Sequence, residues 1–196
     1  MSMRASGSTG PLPVTTAPPL AVTRERLLRL APAGTGVIVD GIAASFDRLA
    51  TSSGVSTRLR ICHFLAQAAH ETDGLRTLDE YGGPAWYARY EGRRDLGNME
   101  PGDGVRFHGR GIFQLTGRFN YRRFGALIGI DLEADPERAA EPAASLAIAF
   151  AYWRERGMEA AADADDIALV TRLVNGGSNG LAERTRLLAL ARTIWR

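Results

Sequence analysis

Apolar residues recur at helical spacing in two blocks of this chain, separated by a long stretch in which that rhythm fails. Near the start, Thr23 can cap a first turn that leads through Arg24-Glu25-Arg26-Leu27-Leu28-Arg29-Leu30 and stops near Pro32 and Gly34. Ile38, Ile42, Phe46 and Leu49 then fall on one face of a helix over residues 38–50. Leu59, Cys62, Leu65 and Ala69 share a face from Thr57 to about His70, with Ser56 or Thr57 as the cap. Helical patterning resumes over 119–128 with Phe119, Phe124 and Leu127, and Asp135-Pro136-Glu137 reads as a cap and first turn. Residues 143–156 place Leu146, Ala149, Phe150 and Trp153 on one stripe. Asp165 or Asp166 caps a helix through Ile167, Val170, Leu173 and Val174, which Asn175-Gly176-Gly177 stops, and a last helix spans about Leu181 to Trp195.

Between these blocks, from Asp73 to Asn120, ten glycines together with Pro84 and Pro101 interrupt any period. So many breakers predict irregular loops with room for short strands, and loops of that length in a compact domain usually carry function. The expected fold class is therefore mainly α, with a loop-built cleft between helical lobes. Residues 1–20, rich in Ser, Thr, Gly and Pro, are expected to be a disordered tail or linker, and 21–196 one domain without internal repeats.

Composition narrows the function. A hydrophobic content of 45% and a charged content of 23% are ordinary for a globular chain, and no run is long enough to span a bilayer, so no stable membrane insertion is expected. A formal charge of +2, carried by arginine with no lysine, gives no concentrated basic face and no expectation of nucleic acid. The single cysteine, Cys62, lies on the apolar stripe of its helix and reads as a small core residue. One cysteine allows no internal disulfide, and the first twenty residues lack the apolar core of a secretory signal. The expectation is synthesis in the cytoplasm, with any action on a cell wall following release or export, by a monomer.

The glycine-rich stretch and its flank hold the candidate chemistry. A-Q-A-A-H-E-T-D-G (66–74) centres on Glu71, Glu80 follows nine residues on, and G-R-G-I-F-Q-L-T-G-R-F-N-Y (109–121) is dense in hydrogen-bonding side chains. One carboxylic acid, one carboxylate and a cleft that grips hydroxyls are what glycosidic bond cleavage requires. Glu71 sits where its helix ends, and the negative end of the helix dipole together with partial burial would favour the protonated form a general acid needs. A metal reading fails on ligand count: His70-Glu71 would need a histidine where Gly74 stands. Gly109-Arg110-Gly111 lacks the preceding strand and third glycine of a dinucleotide loop.

These motifs, with G-N-M-E-P-G-D-G (97–104) and T-R-L-V-N-G-G-S-N-G-L-A-E-R (171–184), resemble glycoside hydrolase family 19, the chitinases and their bacterial and phage endolysin relatives. The resemblance covers about 57–195 and implies a lysozyme-like, two-lobed helical domain that works by inversion without metal or cofactor. It implies Glu71 as the general acid and Glu80, at the spacing of short-loop members, as the general base. Longer-loop members place the base further on, which makes Glu91 the rival. The implied substrate-binding residues are Gln114, Thr116, Asn120, Asn175 and Arg184, with Thr116 beside the attacking water, Asn175 bonding substrate or base, and Arg184 near the acids. Arg110, Tyr121 and Trp86 are weaker candidates, the two aromatics as sugar platforms or as core. His108 receives no role. The short loop and lone cysteine favour the peptidoglycan glycan strand as substrate, cut by an endolysin or an exported antibacterial enzyme. Chitin is the alternative, and a non-catalytic glycan-binding protein on the same fold is the contrasting class.

Overall fold

Thr23 accepts a hydrogen bond from the Arg26 backbone N–H and opens α1 (Arg24–Leu30), as its place before the first apolar run predicts. The computed structural model describes residues 20–196, so the expected tail falls, but for Leu20, outside the described residues. α2 (Gly36–Ser53) outruns the predicted 38–50 at both ends. Its last turn is polar, and the hydroxyls of Thr51, Ser52 and Ser53 each return to a carbonyl one turn back, so the helix continues without an apolar stripe to mark it.

α3 (Arg58–Glu71), capped by Thr57, is the hub of the fold. Every residue from Ile61 to Ala69 is buried, because α8 (Met158–Asp163), α9 (Ile167–Asn175) and α10 (Leu181–Ile194) pack around it. The Phe64 ring meets Phe46, Phe113, Phe150 and Trp153 at centroid distances of 4.6–5.8 Å. Burial of such a ring contributes roughly 2–3 kcal/mol. The helix also buries polar side chains: His63 Nε2 lies 2.8 Å from Asp165 while its Nδ1 has no partner among the described residues, and Gln67 bonds Thr171 at 3.3 Å.

The glycine-rich stretch is more helical than its sequence suggests. It contains α4 (Pro84–Tyr87), α5 (Asp103–Arg106) and 3-10 turns over Ala88–Tyr90 and Arg94–Leu96. Each is a turn or less, too short to show a period. The expected short strands reduce to two isolated antiparallel bridges, Asp79 with Arg110 and Arg110 with Leu115.

α6 (Arg118–Ile128) follows, and Asp135-Pro136 opens a 3-10 turn (Pro136–Ala140) rather than an α-helix. α7 (Pro142–Glu155) separates two cores. Leu146, Ala149, Phe150 and Trp153 join the main core with α2, α3 and α10, while Ile148 and Ala151 face a smaller one with Phe107, Leu115, Tyr121, Phe124 and Leu132. A helix buried on two sides is apolar nearly all round. α8 (Met158–Asp163), unpredicted because six residues carry no stripe, leads to α9 (Ile167–Asn175) and α10 (Leu181–Ile194). The result is a mainly α, two-lobed molecule whose loops meet where the cores divide.

Candidate active site

Glu71 is the last residue of α3, and a buried cation holds it there. Arg184, on the second turn of α10, is 2% exposed, and its Nη2 donates to Glu71 Oε1 at 2.5 Å. Its Nη1 donates to Gln67 Oε1 and its Nε to the Asn179 carbonyl at 3.1 Å. A planar guanidinium with all three nitrogens engaged fixes the carboxyl's orientation. Glu71 Oε2 accepts no hydrogen bond from the described residues, and the side chain remains 20% exposed. The neighbouring His70 braces the same junction, with its Nδ1 2.9 Å from Glu183 Oε2.

Glu80 stands in a different environment. Its Oε1 accepts from Trp86 Nε1 at 3.0 Å, Arg89 Nη2 at 2.5 Å and the Tyr90 hydroxyl at 3.0 Å. Burial is the main cause that pushes the Tyr90 phenol up, so it stays a donor at neutral pH. Glu80 Oε2 accepts only the Gly109 N–H, at 3.1 Å, and keeps capacity for one further donor. The backbone is paired as well, with Glu80 N–H donating to the Gly109 carbonyl at 2.9 Å. Four donors and no acceptor at its carboxyl group make this an acceptor's environment.

Gly109 is where the two halves of the site close. A Cβ there would lie 2.7 Å from Gln114 Oε1 and 3.1 Å from Glu80 Oε2, so only a hydrogen fits between these side chains. Gln114 itself has a left-handed backbone, φ 52°, as do Asp73 at 49° and Leu75 at 61° just beyond Glu71. Such conformations cost of order 1–3 kcal/mol each in a residue with a side chain and cluster at functional sites. Glu71, Glu80, Asp73, Asp79, Trp86 and Gln114 line one cleft of about 270 Å³. Gln114 also lines an adjoining groove of about 260 Å³, which contains Thr116 and Asn120.

The family model described as class I chitinase matches residues 37–172, which takes in both carboxylates and the 109–121 loop. The chain belongs to glycoside hydrolase family 19. A glycosyl hydrolase family 19 domain-containing protein of Haemophilus influenzae is 27% identical over 76% of this chain and 86% of its own length. Endochitinase 1 of Theobroma cacao is 31% identical over 69% of this chain, which spans 51% of that longer protein. Chitinase C from Streptomyces griseus superposes with a TM-score of 0.73 at 20% identity, covering 90% of this chain and 77% of that one, and so shares the fold.

As a family 19 hydrolase the chain is an enzyme, and its structure sorts the residues its sequence singles out. Glu71, Glu80 and Gln114 come together in one cleft, and Thr116 and Asn120 in the next segment. The Thr116 hydroxyl donates to the Gln114 carbonyl at 2.9 Å and the Asn120 amide to the Thr116 carbonyl at 2.7 Å, so both also brace the loop. Arg184 lies behind Glu71, 2% exposed, with all three guanidinium nitrogens bonded within the protein. Asn175 is turned onto its own loop, donating to the Asn179 carbonyl and accepting from Gly177 N–H, both at 2.9 Å. Glu91 is spent on the backbone N–H groups of Gly102 and Gly104, at 2.6 and 2.7 Å, and fastens the start of α5.

Tyr121 is core, fully buried between Arg110 and the His108 carbonyl, whereas Trp86 is exposed in the cleft. His108 stacks on Tyr87 at 4.0 Å. Sequence reasoning missed Gln67, Arg89 and Tyr90. The last two sit nine and ten residues beyond Glu80, and nothing in their spacing marks them as its partners. Among the described residues no group of three or more His, Cys, Asp or Glu side chains is placed to hold a metal ion.

Proposed function

We propose that this family 19 hydrolase cuts β-1,4 links beside N-acetylglucosamine in the glycan strands of peptidoglycan, with inversion at the anomeric carbon. The observation that carries the reading is the pair of carboxyl groups in one cleft, Glu71 held by the buried Arg184 and Glu80 by Trp86, Arg89, Tyr90 and Gly109. Glu71, oriented by Arg184 and with Oε2 open to the cleft, is the proton donor. Its proton goes to the glycosidic oxygen as the bond to the anomeric carbon breaks. Glu80, clamped by Trp86, Arg89, Tyr90 and Gly109, takes a proton from a water at the free side of Oε2. That water forms the new bond from the opposite face of the ring. In this reading Gln114, across Gly109 from Glu80, bonds the sugar next to the cut.

A glycan-strand substrate from the bacterial and phage branch is supported by the nine-residue spacing of the acids and by a lone buried cysteine, which leaves no disulfide. Chitin is the second reading, favoured by the 31% identity to a cacao endochitinase. Loss of turbidity of purified peptidoglycan and of colloidal chitin separates them. Glu71→Gln and Glu80→Gln should each lose about 10²–10⁴-fold in rate, the usual worth of a general acid or base. Glu91→Gln should keep turnover within a few-fold while lowering the melting temperature. Near-normal turnover in Glu80→Gln would remove it as the base. The sugar at the new reducing end, N-acetylmuramic acid or N-acetylglucosamine, identifies which bond is cut.

A further inference from the structure

Beyond Gln114 the cleft runs on into the adjoining groove, whose far end the proposed reaction leaves without a task. Phe113 and Phe124 are part of its lining, Asn120 and Arg123 of α6 form one wall, and Tyr152, Glu155 and Arg156 at the end of α7 form the other. Its charges are unequal. Arg123 Nη2 reaches across to Glu155 Oε1 at 2.9 Å, and the two cancel. Arg156 caps the C-terminus of α7 and stands 4.8 Å from the Tyr152 ring centroid, with no carboxylate partner among the described residues. The opposite end of the cleft carries Glu71, Asp73, Asp79 and Glu80. Tyr152 lies within reach of both ends: burial raises its phenol pKa, the Arg156 charge lowers it and the Glu71 charge raises it.

A cation at a helix C-terminus has an ordinary use, since it complements the dipole. That role does not require a place on the lining of a substrate groove. Nor does it account for an exposed guanidinium held over an aromatic face without a carboxylate partner among the described residues, on a groove that shares Gln114 with the cleft of the two acids. We propose that Arg156 selects substrate by charge: it takes a carboxylate borne by the glycan strand, of the kind a peptide stem supplies and a run of N-acetylglucosamine lacks. The assignment rests on the reading of Glu71 and Glu80 as the reacting pair, which orients the strand along the groove. Arg156 is then a specificity residue, and a bidentate carboxylate is the ligand its planar fork fits.

The test compares peptide-bearing glycan strands with the same strands after their stem carboxylates are converted to methylamides. For the wild type, kcat/KM should fall about tenfold on amidation, most of it in KM, as expected for one charge-assisted hydrogen bond. Arg156→Gln should flatten that ratio to within about twofold, Arg156→Glu should invert it, and Arg156→Lys should keep most of it. Raising salt should weaken the wild-type preference and leave Arg156→Gln unmoved. A merely structural Arg156 would lower activity on both strand forms equally and leave the ratio intact, which overturns the proposal. Wild type cutting both forms at one rate also overturns it and leaves the peptidoglycan reading standing. Wild type that cuts chitin but neither strand form overturns both, and full activity in Glu71→Gln sinks the reaction itself.

Discussion

Gly109 is small because Gln114 and Glu80 occupy the space its side chain would take. Gly109→Ala puts a methyl 2.7 Å from Gln114 Oε1 and 3.1 Å from Glu80 Oε2, so both must move by a few tenths of an ångström or more. Misplacement on that scale costs about 10–100-fold in kcat/KM, because the reacting groups lose alignment rather than identity. The expected result is that loss, read by initial rates on a soluble oligosaccharide, with the far-ultraviolet dichroism of the wild type retained. The residues of the cleft are partly legible in the sequence. Acid spacing and the 109–121 loop mark Glu71, Glu80 and Gln114, since those are local in the chain. Arg184 meets Glu71 across 113 residues, and among 24 arginines only the family resemblance, no periodicity, puts it near the acids. Periodicity puts Glu71 at the end of its helix, but it says nothing of that guanidinium. Trp86 shows the same limit: its exposure suits a sugar platform, yet its indole N–H bonds Glu80 and Arg89 covers its ring at 3.8 Å.

The junction of α3 with α10 aligns the acid, and its tightest point is Gly180. Its φ is 71°, and a Cβ there would lie 2.3 Å from the His70 ring. Gly180→Ala therefore combines a left-handed backbone with overpacking, and should destabilise the fold by about 1–3 kcal/mol. Arg184 lies four residues further on, so kcat should fall with stability, and KM much less. Urea unfolding and single-turnover rates on one preparation check both. Among the elements, the long helices were readable because each turns one stripe to a core. α4, α5 and α8 were not, since four to six residues hold no period. α7 was found by its Leu146–Trp153 stripe, but its second buried side, Ile148 and Ala151, is visible only once the small core exists.

Across the whole molecule charge is nearly balanced, but it is unevenly organised. In the small lobe, Arg118 pairs with Asp103 and Glu133, and Arg122 with Glu133. Arg122 first, with Arg118, pulls the Glu133 carboxyl down to about 2, and Arg118 likewise lowers Asp103. A carboxyl depressed in the folded state contributes stability that is complete above its unfolded value. That contribution drains away as pH falls through the folded one. The urea midpoint should accordingly decline from about pH 4.5 toward pH 2, the ordinary and depressed values for Glu133. Glu133→Gln should begin lower at neutral pH and fall less steeply over that range. Equal slopes for the two proteins would detach the network from acid stability. One further consequence belongs to the supports of the two acids. Glu71 is set by α10 through Arg184, and Glu80 by the loop through Gly109, so the space between them depends on how two separate parts of the chain settle. Inverting sites leave about 6.5–9.5 Å for a water, and retaining sites only about 5–5.5 Å. Under the proposed inversion the anomer released first reports on that spacing, and a variant whose first product has the other handedness has altered it.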